Sequence, residues 1–432
     1  MMQFFRHIYR EVINSQYFKN MFLLTSGVGV SQLIPFLLLP ILTRFFSPVD
    51  FGFFALFMAI IQLLSTSMTF RLEMAVVLPK KNTDAALLCI ISLICLMMLS
   101  LVSFCVLFLG QQYFFNILSE GGYFNQSYLI NPLILYLLPL GVFLLGFYNI
   151  LYSWNNRLEL YKKMSYSHII HSIFSTPSSI LLYFSALQPV GLILGQLIGR
   201  LFASFLLLKD LIYHIRLIPS HNIINNSKSL LMDYRKFIIF ETPHTILNFI
   251  SNKIILGVFT ALFGLFTVGI FDLADKIIAK PLGIISNSFK TVFYKRLTTA
   301  KDQLNIFKKS VFLMTVVSFF LVIPFYFIPD SFFIFLLGES WVDVGDYIKL
   351  ICPLLLVRFI TNVISPSIAY SLQNQYLFIW QVIYFIIIIA LFWFIRGMSV
   401  NEVLIIYAFF GALMYLVLGL VSYLVLKKYI SN

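Results

Sequence analysis

Residues 85–109 form a run of 25 positions without a single charge. A helix crosses a bilayer core with about 20 apolar residues, so the lipid interior is the environment that suits such a run. There the backbone must satisfy its own hydrogen bonds, which dictates an α-helix. A transmembrane β-strand would alternate apolar and polar residues in ~10-residue segments, whereas the runs here are continuous. They recur along all 432 residues: 60% are hydrophobic and 11% charged, against roughly 25% charged in a soluble domain. The mean hydropathy is +0.93. An integral membrane protein with almost no extramembrane mass is expected.

Apolar runs and breakers predict twelve spans near 20–42, 52–77, 85–109, 130–152, 166–185, 190–208, 237–259, 267–289, 310–329, 347–370, 376–395 and 402–426. Cations collect on the cytoplasmic side of such proteins. With the N-terminus inside, 21 Lys and Arg fall on that side and two, Arg44 and Arg396, on the other. Both termini are therefore expected in the cytoplasm, and this topology accounts for the net charge of +13 without a nucleic-acid partner. The polar, basic start MMQFFRHIYREVINSQYFKN lacks the apolar core of a secretory signal. The outer loops carry Glu120, Asp330, Glu339, Asp343 and Asp346 and are too short for a catalytic domain, so no enzyme is expected. Cys89, Cys95, Cys105 and Cys352 show no metal-ligand spacing, and no cofactor is implied.

The chain repeats itself. SPVDFGFFALF at 47–57 aligns with GLFTVGIFDLA at 264–274 at an offset of 217, pairing Gly52 with Gly269, Phe54 with Phe271 and Leu56 with Leu273. Each copy sits between the first two spans of its half, and six spans per half is an even number, so the halves are parallel copies. The expected fold is all-α: a polytopic membrane protein of about 12 transmembrane helices in two six-helix lobes around a central cavity. The N-terminal lobe covers 1–210, a cytoplasmic linker 211–236 and the C-terminal lobe 237–432. Such a duplication suits alternating access.

LPILTRFFSPVDFGFFALFMAIIQLLSTSMTFRLEMAVVLPKK at 39–81 and PHTILNFISNKIILGVFTALFGLFTVGIFDLADKIIAKPLGIISNSFKTVFYKRL at 243–297 resemble the openings of the two halves of Wzx-type polysaccharide repeat-unit flippases, of the multidrug/oligosaccharidyl-lipid/polysaccharide exporter superfamily. The resemblance implies transfer of an undecaprenyl-diphosphate-linked oligosaccharide, such as an O-antigen unit, between leaflets of a bacterial inner membrane. Membrane lipid is the surrounding partner; a polysaccharide polymerase and a chain-length regulator are candidate protein partners.

Ionisable groups inside spans are costly and are functional candidates. Away from the span ends, six are basic (Arg71, Arg200, Lys253, Lys276, Lys280, Arg358) and four acidic (Glu73, Glu241, Asp272, Asp275). The net basic interior suits a diphosphate. Asp272, Lys276 and Lys280 recur every four residues and share one helix face over about 12 Å, with Asp275 beside it; the face either lines water or forms an internal salt-bridge strip. Glu241, Thr245, Asn248 and Asn252 share another face that suits sugar hydroxyls. Lys253 points away from it and is assigned to packing or snorkelling. Gly191, Gly195 and Gly199 form a ridge for close helix approach, with Arg200 on a different face. Arg71 and Glu73 match an Arg-x-Glu pattern of the flippase family. Arg71, Arg200, Lys276, Lys280 and Arg358 are thus expected to hold diphosphate, Asn248 and Asn252 to contact glycan, and Glu73, Glu241, Asp272 and Asp275 to form the coupling and charge network. A drug–cation antiporter of the same superfamily would favour an acidic interior instead, and a membrane polymerase would need an acidic catalytic cluster or a sizeable outer loop.

Overall fold

The computed structural model describes residues 16–113, 133–185, 189–218, 223–299 and 302–431. Arg6, Arg10, Glu120 and Lys301 lie outside the described residues. All regular structure within them is helical.

In chain order the helices are α1 (Gln16–Leu37), α2 (Leu39–Phe45), α3 (Pro48–Met68), α4 (Leu72–Ala75), α5 (Asn82–Leu109), α6 (Leu133–Arg157), α7 (Tyr161–Tyr183), α8 (Val190–Ile215) and α9 (Ile223–Asp233). After a π-turn at Phe237–Glu241 come α10 (Thr242–Thr299), α11 (Gln303–Val322), α12 (Pro324–Phe327), α13 (Asp330–Leu337), α14 (Val344–Ile364), α15 (Pro366–Tyr370), α16 (Asn374–Phe394) and α17 (Val400–Ser431). Among the described residues, ten stretches are long and apolar enough to cross a membrane. One of them runs 62 residues and breaks where Gly264 adopts φ 82°, a left-handed conformation that glycine takes at little cost. Counting its two limbs separately and adding the serine-rich α7 gives about twelve spans, as the sequence predicts.

Local chemistry sets the helix starts. At the head of α3 the Ser47 amide and hydroxyl both donate to Asp50 Oδ2 at 2.7 Å, and the Asp50 amide donates back to Ser47 Oγ at 3.3 Å. Ser399 and Glu402 make the same reciprocal box at the head of α17. One boundary departs from expectation. The second span does not run to residue 77: α3 ends at Met68, and Phe70 and Arg71 turn left-handed at φ 51° and 55°. No glycine or proline marks this break. Arg71 and Glu73 therefore stand in a turn and on α4, not inside a continuous helix.

The chain folds into two compact units. The first comprises residues 1–39 and 56–246, the second 40–55 and 247–432. α3 thus gives its first eight residues to the second unit and the remainder to the first. In the first unit the core is built on Trp154, Ile61, Leu88, Leu96, Ile150 and Ile193, all essentially inaccessible. The glycine ridge on α8 lies against α7: a Cβ on Gly195 would stand 2.6 Å from the Ser175 carbonyl and 2.8 Å from the Ser179 amide. In the second unit Trp380 stacks on Tyr384 at 5.3 Å and donates from Nε1 to the Met414 carbonyl. Thr361 and Ser367 on the α14–α15 segment reach the Tyr415 and Ser422 carbonyls of α17 at 3.2 and 3.3 Å, the hydroxyl-to-backbone links that join helices where water is absent.

Gly195→Val should force α7 and α8 apart and lower stability by about 1–3 kcal/mol. Gly283→Ala, where a Cβ meets open space, is the control. Thermal unfolding of the detergent-purified protein checks this; equal midpoints for the two variants would refute the close packing.

Candidate functional site

The second limb of α10 carries the charged stripe, and the structure resolves its pairing. Asp272, 5% exposed, forms an ion pair with Lys276 one turn on. The same ammonium stands 5.2 Å from the centre of the Phe54 ring, where the π-face attracts it. Asp275 accepts from Arg358 on α14 at 3.2 Å, and Tyr384, Tyr407 and Tyr415 lie within electrostatic reach of that guanidinium. Lys280 is exposed and has no ion-pair partner among the described residues. Lys276 and, from the first limb of α10, Lys253 both lie within electrostatic range of Lys280. Lys253 too makes no ion pair among the described residues. Sequence reasoning had left Lys253 to packing; the fold brings its charge to the stripe.

Asn248 and Asn252, both exposed, hydrogen-bond to one another, Asn252 Nδ2 donating to Asn248 Oδ1 at 2.6 Å and to its carbonyl at 2.8 Å. They belong to the second unit, whereas Glu241 closes the π-turn in the first. The unit boundary thus falls between the members of the face read as one stripe from Glu241 to Asn252.

In the first unit Arg200 stands 4.6 Å from the centre of the Tyr148 ring. Tyr148 shares a hydrogen bond of 3.1 Å with Ser167, and His168 meets the rings of Tyr148 and Tyr152 edge-on. Arg200 makes no ion pair among the described residues. Arg71 pairs with the buried Glu73 at 3.2 Å, within the left-handed turn. Nearby, Arg157 donates to the carbonyls of Val76 and Pro79 and to Asn82, pinning the segment that follows α4. Lys349, which the span boundaries placed inside span ten, instead binds Asp330 and Asp346.

Three of the six cations expected inside spans are therefore paired, Arg71 with Glu73, Lys276 with Asp272 and Arg358 with Asp275, while Arg200, Lys253 and Lys280 have no ion-pair partner among the described residues. No group of three metal-ligating side chains exists among the described residues.

Many helices long enough to cross a bilayer, duplicated halves and charged side chains inside the spans define a polytopic transporter-type membrane protein. The chain belongs to the polysaccharide biosynthesis protein family, whose model matches residues 41–346. No curated protein matches it significantly. Among solved structures it is similar to the lipid II flippase MurJ in an inward closed conformation, at 15% identity and TM-score 0.67, covering 95% of this chain and 88% of that one. An outward-facing multidrug resistance MATE family transporter of the MOP superfamily matches at 13% identity and TM-score 0.64, covering 96% of both chains. A MOP superfamily transporter from Pyrococcus furiosus, described by the reverse polarity of its binding pocket, matches at 14% identity and TM-score 0.56, covering 95% of this chain and 94% of that one. These likenesses establish the fold expected from the sequence.

Arg358→Gln would leave Asp275 with an uncompensated charge and should destabilise the protein by about 3 kcal/mol. Asp275→Asn combined with Arg358→Gln should recover most of that loss. Melting curves of wild type, the single and the double variant check it; a double variant no better than the single would contradict the pairing.

Proposed function

We propose that this protein is a flippase for a lipid-linked oligosaccharide, moving an undecaprenyl-diphosphate-linked repeat unit from the cytoplasmic to the outer leaflet of a bacterial inner membrane by alternating access. The observation that carries this reading is the set of span cations that have no ion-pair partner among the described residues, Lys253 and Lys280 on the two limbs of α10 and Arg200 on α8. Charges without counter-ions inside a span are expensive, and like charges held together raise the cost further. A diphosphate supplies the missing negative charge at a single point, and the flanking lipid tail remains in hydrocarbon. A cationic drug would add to the repulsion.

Asn248 and Asn252, exposed on the same limb five residues and one residue before Lys253, offer amide donors and acceptors to sugar hydroxyls. Arg200 in the first unit, unpaired and backed by Tyr148, contributes a further anion contact. Lys276 and Arg358 act chiefly by balancing Asp272 and Asp275. Proton or ion coupling falls to Glu73, Glu241, Asp272 and Asp275, because a carboxylate inside a span can trade its partner for a proton. The cation bias puts both termini in the cytoplasm. No bond of the substrate is made or broken in this cycle. A polysaccharide polymerase and a chain-length regulator are the expected neighbours on the receiving side.

Lys280→Gln should abolish surface polysaccharide at normal protein level, with Lys280→Arg retaining part of it. Lys276→Ala should also fail, because Asp272 is left charged and alone, yet the double change Asp272→Ala with Lys276→Ala should restore export. Polysaccharide staining with membrane protein quantified in each strain checks this. Full export by Lys280→Gln would end the proposal.

A further inference from the structure

Arg200 on α8 makes no ion pair among the described residues, and its Nε is enclosed without a hydrogen bond there. Its guanidinium stands 4.6 Å from the centre of the Tyr148 ring on α6. A second basic group meets the same ring. His168 on α7 approaches Tyr148 edge-on at 6.4 Å and Tyr152 at 5.4 Å, and its Nε2 stands 3.4 Å from the Tyr152 hydroxyl. Arg200 thus lies within electrostatic range of His168. Both are half-buried, so a guest can reach them. Tyr148 is 3% exposed and shares a hydrogen bond with Ser167, the residue before His168, which fixes the wall between the two groups.

The helices around His168 offer it almost no negative charge. α7 packs against α8, α1 and α6. Across these four helices the sole carboxylate is Asp210, ten residues past Arg200, and it pairs with Lys163. The remaining charged or basic groups are Lys19 of α1, Arg157 of α6, Lys162 and His171 of α7, and Lys209 and His214 of α8. Arg157 is held by the Val76 and Pro79 carbonyls and by Asn82. The ionisable groups that the structure places against His168 are therefore Tyr148, Tyr152 and Arg200.

Histidine is the side chain whose charge changes near neutrality. An imidazolium at 168 would set two cations against one ring, and like charges oppose each other. An anion seated on Arg200 removes that opposition and supplies the counter-charge to both groups. Proton and anion then favour one another, and the coupling is reciprocal. We propose, building on the reading of Arg200 as a headgroup contact, that Arg200 and His168 form one two-point site for a diphosphate diester in the first unit, with His168 binding as the imidazolium and taking its proton from bulk water as the anion arrives. No carboxylate takes part.

The test uses the full chain in neutral-lipid nanodiscs and undecaprenyl-diphospho-N-acetylglucosamine as the probe. Both of its phosphates are diesterified, so its charge stays constant while a histidine titrates. Affinity should be about tenfold tighter at about pH 5.5 than at about pH 8.5, the effect of a one-unit shift in one group. Titration calorimetry near neutrality, in two buffers of different ionisation heat, should show net proton uptake on binding. His168→Gln should lose the uptake and bind at the acidic pH no tighter than the wild type does at the alkaline one. His168→Asn serves if His168→Gln does not accumulate, and the wild-type proton count needs no variant. Arg200→Gln should weaken binding at both pH values. His214→Gln, whose ring meets Trp154 and Tyr213 instead, should keep the wild-type pH dependence. Wild-type binding without proton uptake, or a pH dependence that survives loss of His168, would overturn the two-point site while leaving the headgroup reading intact. Absence of binding at both pH values would remove both.

Discussion

A charge inside a bilayer must meet a counter-charge, water or a guest, and the arrangement of this protein's interior follows from that demand. Asp272, Asp275 and Glu73 each have a cation within ion-pair distance. Lys253, Lys280 and Arg200 do not, among the described residues. Pairs of the first kind fix helices to one another: Arg358 ties α14 to the second limb of α10 across 83 residues of sequence. Cations of the second kind carry the desolvation cost of a span without the return of an ion pair. The net positive interior is therefore a sharper statement once the pairs are removed from it.

The spans were legible because hydrocarbon imposes length and composition on each of them, and the glycine ridge of α8 was legible because three glycines at four-residue spacing have few other uses. The helical period also placed Asp272 and Lys276 on one face, where they pair. Beyond that range the period fails. It could not show that Arg358 would find Asp275, nor that the break at Gly264 would leave Lys253 within electrostatic range of Lys280. The stop at Met68 was invisible because Thr69, Phe70 and Arg71 are residues that normally avoid left-handed turns. The π-turn at Phe237–Glu241 is likewise without a sequence marker.

The repeat shows the opposite case, a weak signal with a strong structural meaning. Three aligned identities in eleven residues say little alone. In the structure the same offset becomes a reciprocal crossing of Gly52 and Gly269, each facing the carbonyl four residues before the other. Duplication thus built one unit's packing from both halves, which is why the compact units do not follow the midpoint of the chain. Membership in the polysaccharide biosynthesis protein family and likeness to lipid-flippase and drug-transporter structures describe a shared scaffold. Under the proposed function, the sign of the cations left without ion-pair partners selects the guest that scaffold takes.

That sign is tested most directly by equilibrium binding of undecaprenyl diphosphate, undecaprenyl phosphate and undecaprenol to the purified protein in neutral-lipid nanodiscs. The account predicts affinity falling in that order, with the differences collapsing when Lys253→Gln and Lys280→Gln are combined. Equal affinity for the uncharged alcohol, or an order that survives loss of both lysines, would contradict it.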